Sequence, residues 1–217
     1  MDIEQARFNM IEQQIRPWEV VDKRVLDMIA KTPRECFVPD DYKHLAFSDI
    51  NVPIGHDQVM MTPKVEARML QALDIQSDDH ILEIGTGSGY VTALLAQLGG
   101  HVTTEEIFSD LSEQAENRLR LMEIDNVEFI VGDSLKSRPF YNRYDVIAVT
   151  GSLPQMDSLF KEQLEFDGRL FIIVGEAPIM EAWLITRLSE YEWEKKSLFD
   201  TSIPPLIGAE PKHRFTI

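Results

Sequence analysis

From residue 80 to residue 175 the chain alternates short apolar runs with amphipathic segments, and this alternation restricts the fold more than any other feature. The apolar runs are 81-ILEI-84, 102-VTTEE-106, 127-VEFIV-131, 145-DVIAVT-150 and 169-RLFIIV-174. Between the first pair lies 91-VTALLAQL-98, closed by Gly99-Gly100. Between the next pair a helix is expected to open at Asp110, with Glu113 three residues on as a capping box and Leu111, Ala115, Leu119 and Met122 along one face. Strands that are apolar along most of their length and separated by such helices imply a parallel sheet covered on both sides. The expected fold is therefore doubly wound α/β. Two runs of period 2, 182-AWLITRL-188 and 191-YEWEKKSLFDT-201, are expected to pair as an antiparallel hairpin at the sheet edge.

Residues 1–75 carry a different pattern. A helix is predicted from Ile3 to Ile15, stopped by Pro17, and a second from the cap Asp22 through Val25, Leu26 and Ile29 toward Pro33. The stretch 46-AFSDINVPIGHDQVMM-61 has no clear periodicity and reads as a long loop, of the kind that is usually functional. A third helix, 62-TPKVEARMLQAL-73, is predicted with Thr62 at the cap and Pro63 in the first turn. A chain of 217 residues, 44% of them hydrophobic, can bury one substantial core. The expectation is a single domain, with 1–75 as a helical cap and substrate loop on a ligand-binding core at 76–217. The net charge of −16 opposes a nucleic-acid partner, because phosphate binders carry a basic stripe. Cys36 has no second cysteine to pair with and is expected to be a small buried residue. No apolar run is long enough for a signal peptide or a membrane span, so a soluble, cytoplasmic protein without a membrane partner is expected. The histidines at 44, 56, 80, 101 and 213 have no ligand spacing and suggest no metal site; His56, beside Asp57 in the long loop, is the one to follow.

Ligands of open parallel sheets bind outside the carboxyl ends of the strands, where the strand order reverses. The turn 85-GTGSG-89 lies at such an end, and its glycines let backbone amides approach a ligand. A dinucleotide fingerprint needs a glycine or alanine at position 90, which is Tyr90 here, so a nicotinamide dinucleotide is disfavoured. With Glu83 two positions ahead, the turn suits a nucleoside bearing a charged amino-acid portion and no pyrophosphate; S-adenosyl-L-methionine is such a ligand. Glu106, which ends the second strand 17 residues beyond Gly89, is placed to accept from ribose hydroxyls, and Asp133 from the adenine amino group. Glu105 is expected to be the exposed member of its pair.

These motifs, with 25-VLDMIAKTPRECFVP-39, 46-AFSDINVPIG-55, 144-YDVIAVTGSLP-154 and 168-GRLFIIVG-175, resemble class I methyltransferases and, more narrowly, the protein-L-isoaspartate O-methyltransferase family, over about residues 20 to 175. The resemblance implies a Rossmann-like fold, S-adenosyl-L-methionine with S-adenosyl-L-homocysteine as product, and methylation of isoaspartyl carboxylates in damaged peptides or proteins, a repair reaction. It places the cofactor contacts at Gly85, Gly87, Gly89, Glu106 and Asp133, with Glu83, Thr86, Ser88, Ile107 and Ser134 beside them. The family's Q-T-I-S is 58-QVMM-61 in this chain, so its serine, thought to orient the acceptor carboxylate, becomes Met61. Gln58, Val59 and Thr62 surround it, and the Thr62 hydroxyl is expected to be committed to its helix cap. No catalytic residue is assigned, because an ionised carboxylate attacking a sulfonium methyl in line needs alignment rather than a general base. Two alternatives remain open: a different, small-molecule acceptor for the same cofactor, and a cofactor-binding module without isoaspartyl activity. The sequence sets no oligomeric state.

Overall fold

The structure is a computed structural model that describes residues 2–136, 142–156 and 158–209. The N-terminal part begins with α1 (Ile3–Met10), where Asp2 caps by accepting from the Gln5 amide. This helix widens into a π turn over Ile11–Ile15 and ends in a 3-10 turn at Arg16–Trp18. Helix α2 (Lys23–Lys31) opens on Asp22, whose carboxylate accepts from the Arg24 amide, and it buries Val25, Leu26 and Ile29. The expected loop 46–61 contains a hairpin, β1 (Val52–Gly55) and β2 (Gln58–Met60), that periodicity did not predict. Its two-residue turn is His56-Asp57, both at positive φ, rather than the Asn-Gly that would have announced it, and Pro53 inside a strand argued against a ladder. Helix α3 (Pro63–Leu73) follows.

The core then runs β3 (His80–Ile84), α4 (Tyr90–Leu98), β4 (His101–Glu106), α5 (Ser109–Leu121), β5 (Val127–Val131), β6 (Tyr144–Leu153), α6 (Ser158–Glu162), β7 (Leu164–Glu176), β8 (Ile179–Arg187) and β9 (Trp193–Thr201). These seven strands form one sheet in the order β5-β4-β3-β6-β7-β8-β9. The first five are mutually parallel, and β8 and β9 add antiparallel at one edge. The doubly wound expectation and the C-terminal hairpin both hold. Successive residues along each inner strand point to opposite faces, and burial follows: Ile81, Val146 and Phe171 join one apolar cluster, while their neighbours Leu82, Ile147 and Ile172 join the other. The first cluster also takes in Met10, Ile15, Leu26, Phe37 and Leu70, so the N-terminal helices close that face. Fully burying each such side chain stabilises the fold by about 1.5–3 kcal/mol.

Three local expectations change. Helix α5 starts at Ser109 on an N-cap Phe108, which places Asp110 inside the first turn, so no Asp110–Glu113 capping box forms, and the Asp110 carboxylate meets His56 instead. Thr62 occupies the N-cap of α3, yet its hydroxyl makes no capping bond and is buried without a partner. Cys36 is exposed: the 3-10 turn Arg34–Cys36 directs Arg34 inward, Phe37 follows it into the core, and the thiol faces out. Among the described residues no helix is long and apolar enough to cross a membrane.

Candidate active site

Strand order reverses between β3 and β6, and the glycine turn leaves the end of β3 at that point. Gly85 adopts φ +92, and a Cβ there would lie 2.5 Å from Thr150 Oγ1 on β6. The Thr150 hydroxyl lies 2.8 and 2.7 Å from the carbonyls of Ile84 and Gly85, so it tethers the turn to β6. Gly89, at φ +84, sits where a Cβ would meet Ala115 Cβ at 2.8 Å; its smallness lets the turn pack on α5. Glu106 braces the turn from β4: one carboxylate oxygen accepts from the Gly87 amide at 2.8 Å and the other from the Phe108 amide at 3.1 Å. Each oxygen keeps a further lone pair.

An open cleft of about 710 Å³, its mouth into solvent included, lies over these strand ends. Gly85, Gly87, Glu106, Ile107, Asp133 and Ser134 line it, as the sequence leads one to expect. Thr86 and Ser88 line a smaller recess beside it, near Met61, Glu66 and Tyr90. Two predicted residues are placed elsewhere. Gly89 contacts α5 instead of the cleft. Glu83 is wholly buried beneath the turn, where Thr92 Oγ1 at 2.5 Å and Thr104 Oγ1 at 2.6 Å donate to one carboxylate oxygen and the other has no partner. Burial pushes its pKa to about 8, against the two hydroxyl bonds, with the Glu106 charge a smaller contribution in the same direction as burial. Glu83 thus supports the turn through Thr104, whose oxygen lies 2.6 Å from Thr86 Oγ1. Glu105 is half-buried rather than exposed, accepts from Ser134 Oγ at 2.6 Å and lines the cleft.

Asp133 is held by the Leu135 amide at 3.0 Å and by exposed Lys136 at 2.8 Å, and the Lys136 bond keeps its pKa below the usual carboxylate value. Three carboxylates therefore face the cleft, and none of its described lining residues is Lys, Arg or His. The opposite wall consists of Ile54, Gln58, Val59 and Met61 from the hairpin segment and Ile203, Leu206 and Ile207 from the tail. The tail reaches this position because Ser152 at the end of β6 bonds Pro204 and Leu206 through its backbone and Ile203 through its hydroxyl. Sequence reasoning passed over Thr150, Phe108 and these tail residues. Their signal was weak: TGSL reads as a strand end, and an apolar tail carries no periodicity.

The family model for protein-L-isoaspartate(D-aspartate) O-methyltransferase matches residues 5–210. The chain belongs to this family. A protein-L-isoaspartate O-methyltransferase of Rhodopseudomonas palustris is 39% identical over 202 residues, covering 93% of each chain, and one of Methanoculleus marisnigri is 39% identical over 202 residues, covering 93% of this chain and 91% of that one. A Plasmodium falciparum crystal structure, described as a protein-L-isoaspartate O-methyltransferase in complex with S-adenosyl-L-homocysteine, shares the fold with a TM-score of 0.78 at 19% identity, covering 95% of this chain and 98% of that one. The protein-L-isoaspartate O-methyltransferases are S-adenosylmethionine-dependent enzymes, and the donor set here fits that cofactor. An acidic cleft without a lining cation suits a sulfonium, and the spare lone pairs of Glu106 suit vicinal hydroxyls.

Above the recess, Arg34 and Glu66 form a buried ion pair, 1% and 2% exposed at their side chains. Arg34 also donates to the carbonyls of Ala46 at 3.0 Å and Met61 at 2.8 Å, and its guanidinium lies 4.8 Å from the centre of the Tyr90 ring. Burial raises the Glu66 pKa to about 7 against the pull of Arg34, and it pushes the Tyr90 phenol up as well. Tyr90, the residue that breaks the dinucleotide fingerprint, thus joins the Arg34–Cys36 turn and Phe37 to the start of α4.

Proposed function

We propose that this protein methylates the free carboxylate of isoaspartyl residues in peptides or proteins, with the cofactor held in the cleft over β3, β4 and β5. The observation that carries this reading is the acidic cleft braced by Glu106, facing an apolar hairpin wall that bears Gln58, in a chain matched to the family over 5–210. Bound S-adenosyl-L-methionine supplies an electrophilic methyl group on a sulfonium. Glu106 would accept from the ribose hydroxyls, Asp133 with Ser134 would border the adenine, and the Gly85–Gly87 backbone would admit the methionine portion. Ile54, Val59 and Met61 exclude water from the reacting end, and the Gln58 amide can donate to the acceptor carboxylate. That carboxylate is ionised at neutral pH, so positioning supplies most of the catalysis and no proton needs to move.

One observation favours a second acceptor class. Met61 is 3% exposed, lines the cleft and offers no hydroxyl, and Thr62 does not line it. A smaller, less polar acceptor would find this wall more complementary than an acidic peptide. The deciding experiment follows methyl transfer from labelled cofactor to an isoaspartyl peptide beside its normal aspartyl counterpart. Selective labelling of the isoaspartyl form is expected; equal background labelling of both peptides, by protein that binds S-adenosylhomocysteine, would move the reading to the second class.

A further inference from the structure

The hairpin β1–β2 that walls the cleft is attached very differently at its two ends. At its base Val52, Met60 and Met61 are buried and the Met61 carbonyl is held by Arg34. Among the described residues the two strands pair only with each other, so no ladder ties them to the main sheet. At the tip His56 and Asp57 both take left-handed φ values, 52° and 56°, a conformation that residues with a Cβ adopt at a cost. The tip reaches across the cleft to the start of α5. There the His56 ring stacks on Phe108 with centroids 4.0 Å apart and planes 11° from parallel, and His56 Nε2 lies 3.0 and 2.9 Å from the two Asp110 carboxylate oxygens. Phe108 itself lines the cleft. Between base and tip, Ile54 Cδ1 lies 3.0 Å from where a Gly87 Cβ would stand, so the hairpin rests on the glycine turn.

We propose that His56 is a positioning residue for the cofactor: its stack on Phe108 and its bond to Asp110 clasp the hairpin tip to α5, close the cleft and set how fast the adenosyl product leaves. The inference rests on the reading of the cleft as the cofactor site. His56 touches no reacting atom in this scheme; it acts through Ile54, Gln58 and Val59, which the hairpin carries against the glycine turn. Both partners of the clasp sit within four residues of Glu106, which braces that turn, so the clasp fastens the moving wall to the fixed floor of the cleft.

The test compares wild type with His56→Ala, Asp110→Ala, the double variant and His56→Arg. Two quantities are read: amide hydrogen exchange over 52–60 in the ligand-free protein, and the release rate of labelled S-adenosylhomocysteine. His56→Ala is expected to speed both by about tenfold, the size of one stacked ring plus one exposed hydrogen bond to a carboxylate. The double variant should be no faster than His56→Ala, because the two side chains act as one contact. His56→Arg should restore slow release, since a guanidinium both stacks on a ring and pairs with a carboxylate. A change in both rates of less than about twofold on removing His56 would overturn the clasp. If wild type failed to bind S-adenosylhomocysteine at all, the cofactor reading would fall, while the exchange comparison would still decide whether His56 holds the hairpin.

Discussion

The buried carboxyl of Glu83 makes a sharp demand on the pH dependence of stability. It lies at 0% exposure under the glycine turn, accepts from Thr92 and Thr104 on one oxygen, and titrates at about 8 against 4.5 for a free glutamate. A pKa raised in the fold means that the native state binds the proton more tightly than the unfolded chain does. The resulting stabilisation is complete below pH 4.5 and is lost as pH rises through 8. Across that interval one proton separates the two states, so the unfolding free energy should fall by about 1.4 kcal/mol per pH unit, roughly 3–5 kcal/mol in all. Glu66, raised to about 7, acts with the same sign but is spent by neutral pH, which leaves the interval from 7 to 8 to Glu83. Glu83→Gln keeps an acceptor for both threonines and removes the titration. Its unpaired amide costs about 1–3 kcal/mol, which shifts the whole stability curve without tilting it. Urea unfolding of both proteins at pH 5.5 to 9 therefore separates the terms: the offset reports the amide, and the difference in slope reports the proton. Parallel curves between pH 7 and 8.5 would refute a neutral Glu83, and would require a buried carboxylate stabilised by two hydroxyl donors alone.

Three further outcomes follow from the cleft. Gly85→Ala should abolish measurable binding of S-adenosylhomocysteine by calorimetry, because its Cβ falls 2.5 Å from Thr150 Oγ1 at a backbone φ of +92; binding within threefold of wild type, on the order of 0.7 kcal/mol, would contradict that geometry. Met61→Ser should raise isoaspartyl turnover by about one to two decades if a hydroxyl at that place is what the acceptor lacks. It should also destabilise the fold by about 2–5 kcal/mol through the lost buried side chain, and unchanged turnover in folded protein would separate Met61 from acceptor choice. Glu66→Leu should cost about 3–5 kcal/mol by stranding Arg34 in the core, with Arg34→Met/Glu66→Leu recovering much of it; a double-variant loss equal to the sum of the Arg34→Met and Glu66→Leu losses in thermal unfolding would show that the pair is not coupled.

The sheet was legible because its signal is redundant: the apolar centres of β3, β6 and β7 are buried, and the strand runs are interleaved with helices α4, α5 and α6. The glycine turn was legible for a different reason, since Gly85 and Gly89 stand where a Cβ would collide with β6 or α5, and such positions restrict residue type directly. Side-chain direction was not legible. Glu83 and Glu106 both end or approach a strand end beside the turn, and the sequence gives them similar standing. The pleat sends Glu83 down among threonines and lets Glu106 meet the Gly87 amide. Glu105 was misread for the same reason, being judged against its neighbour rather than against Ser134, which arrives from the end of β5.

The least legible parts are those in which a local rule yields to a distant partner. Asp110 has the spacing of a capping box, yet a histidine 54 residues earlier takes its carboxylate. Thr62 has the place of a cap, yet its hydroxyl stays unbonded beside a backbone that Arg34 holds through the Met61 carbonyl. Both exceptions fall on the same structure, the hairpin that closes the cleft, at its tip and at its base. In both places the local preference gives way to packing set by residues distant in sequence, at the two points where the hairpin meets the rest of the fold. A segment with anchored ends, no ladder to the main sheet and left-handed side-chain-bearing residues at its turn is what a cleft needs if its wall is to move while its floor, the β3–β4 strand ends under Glu106, stays fixed.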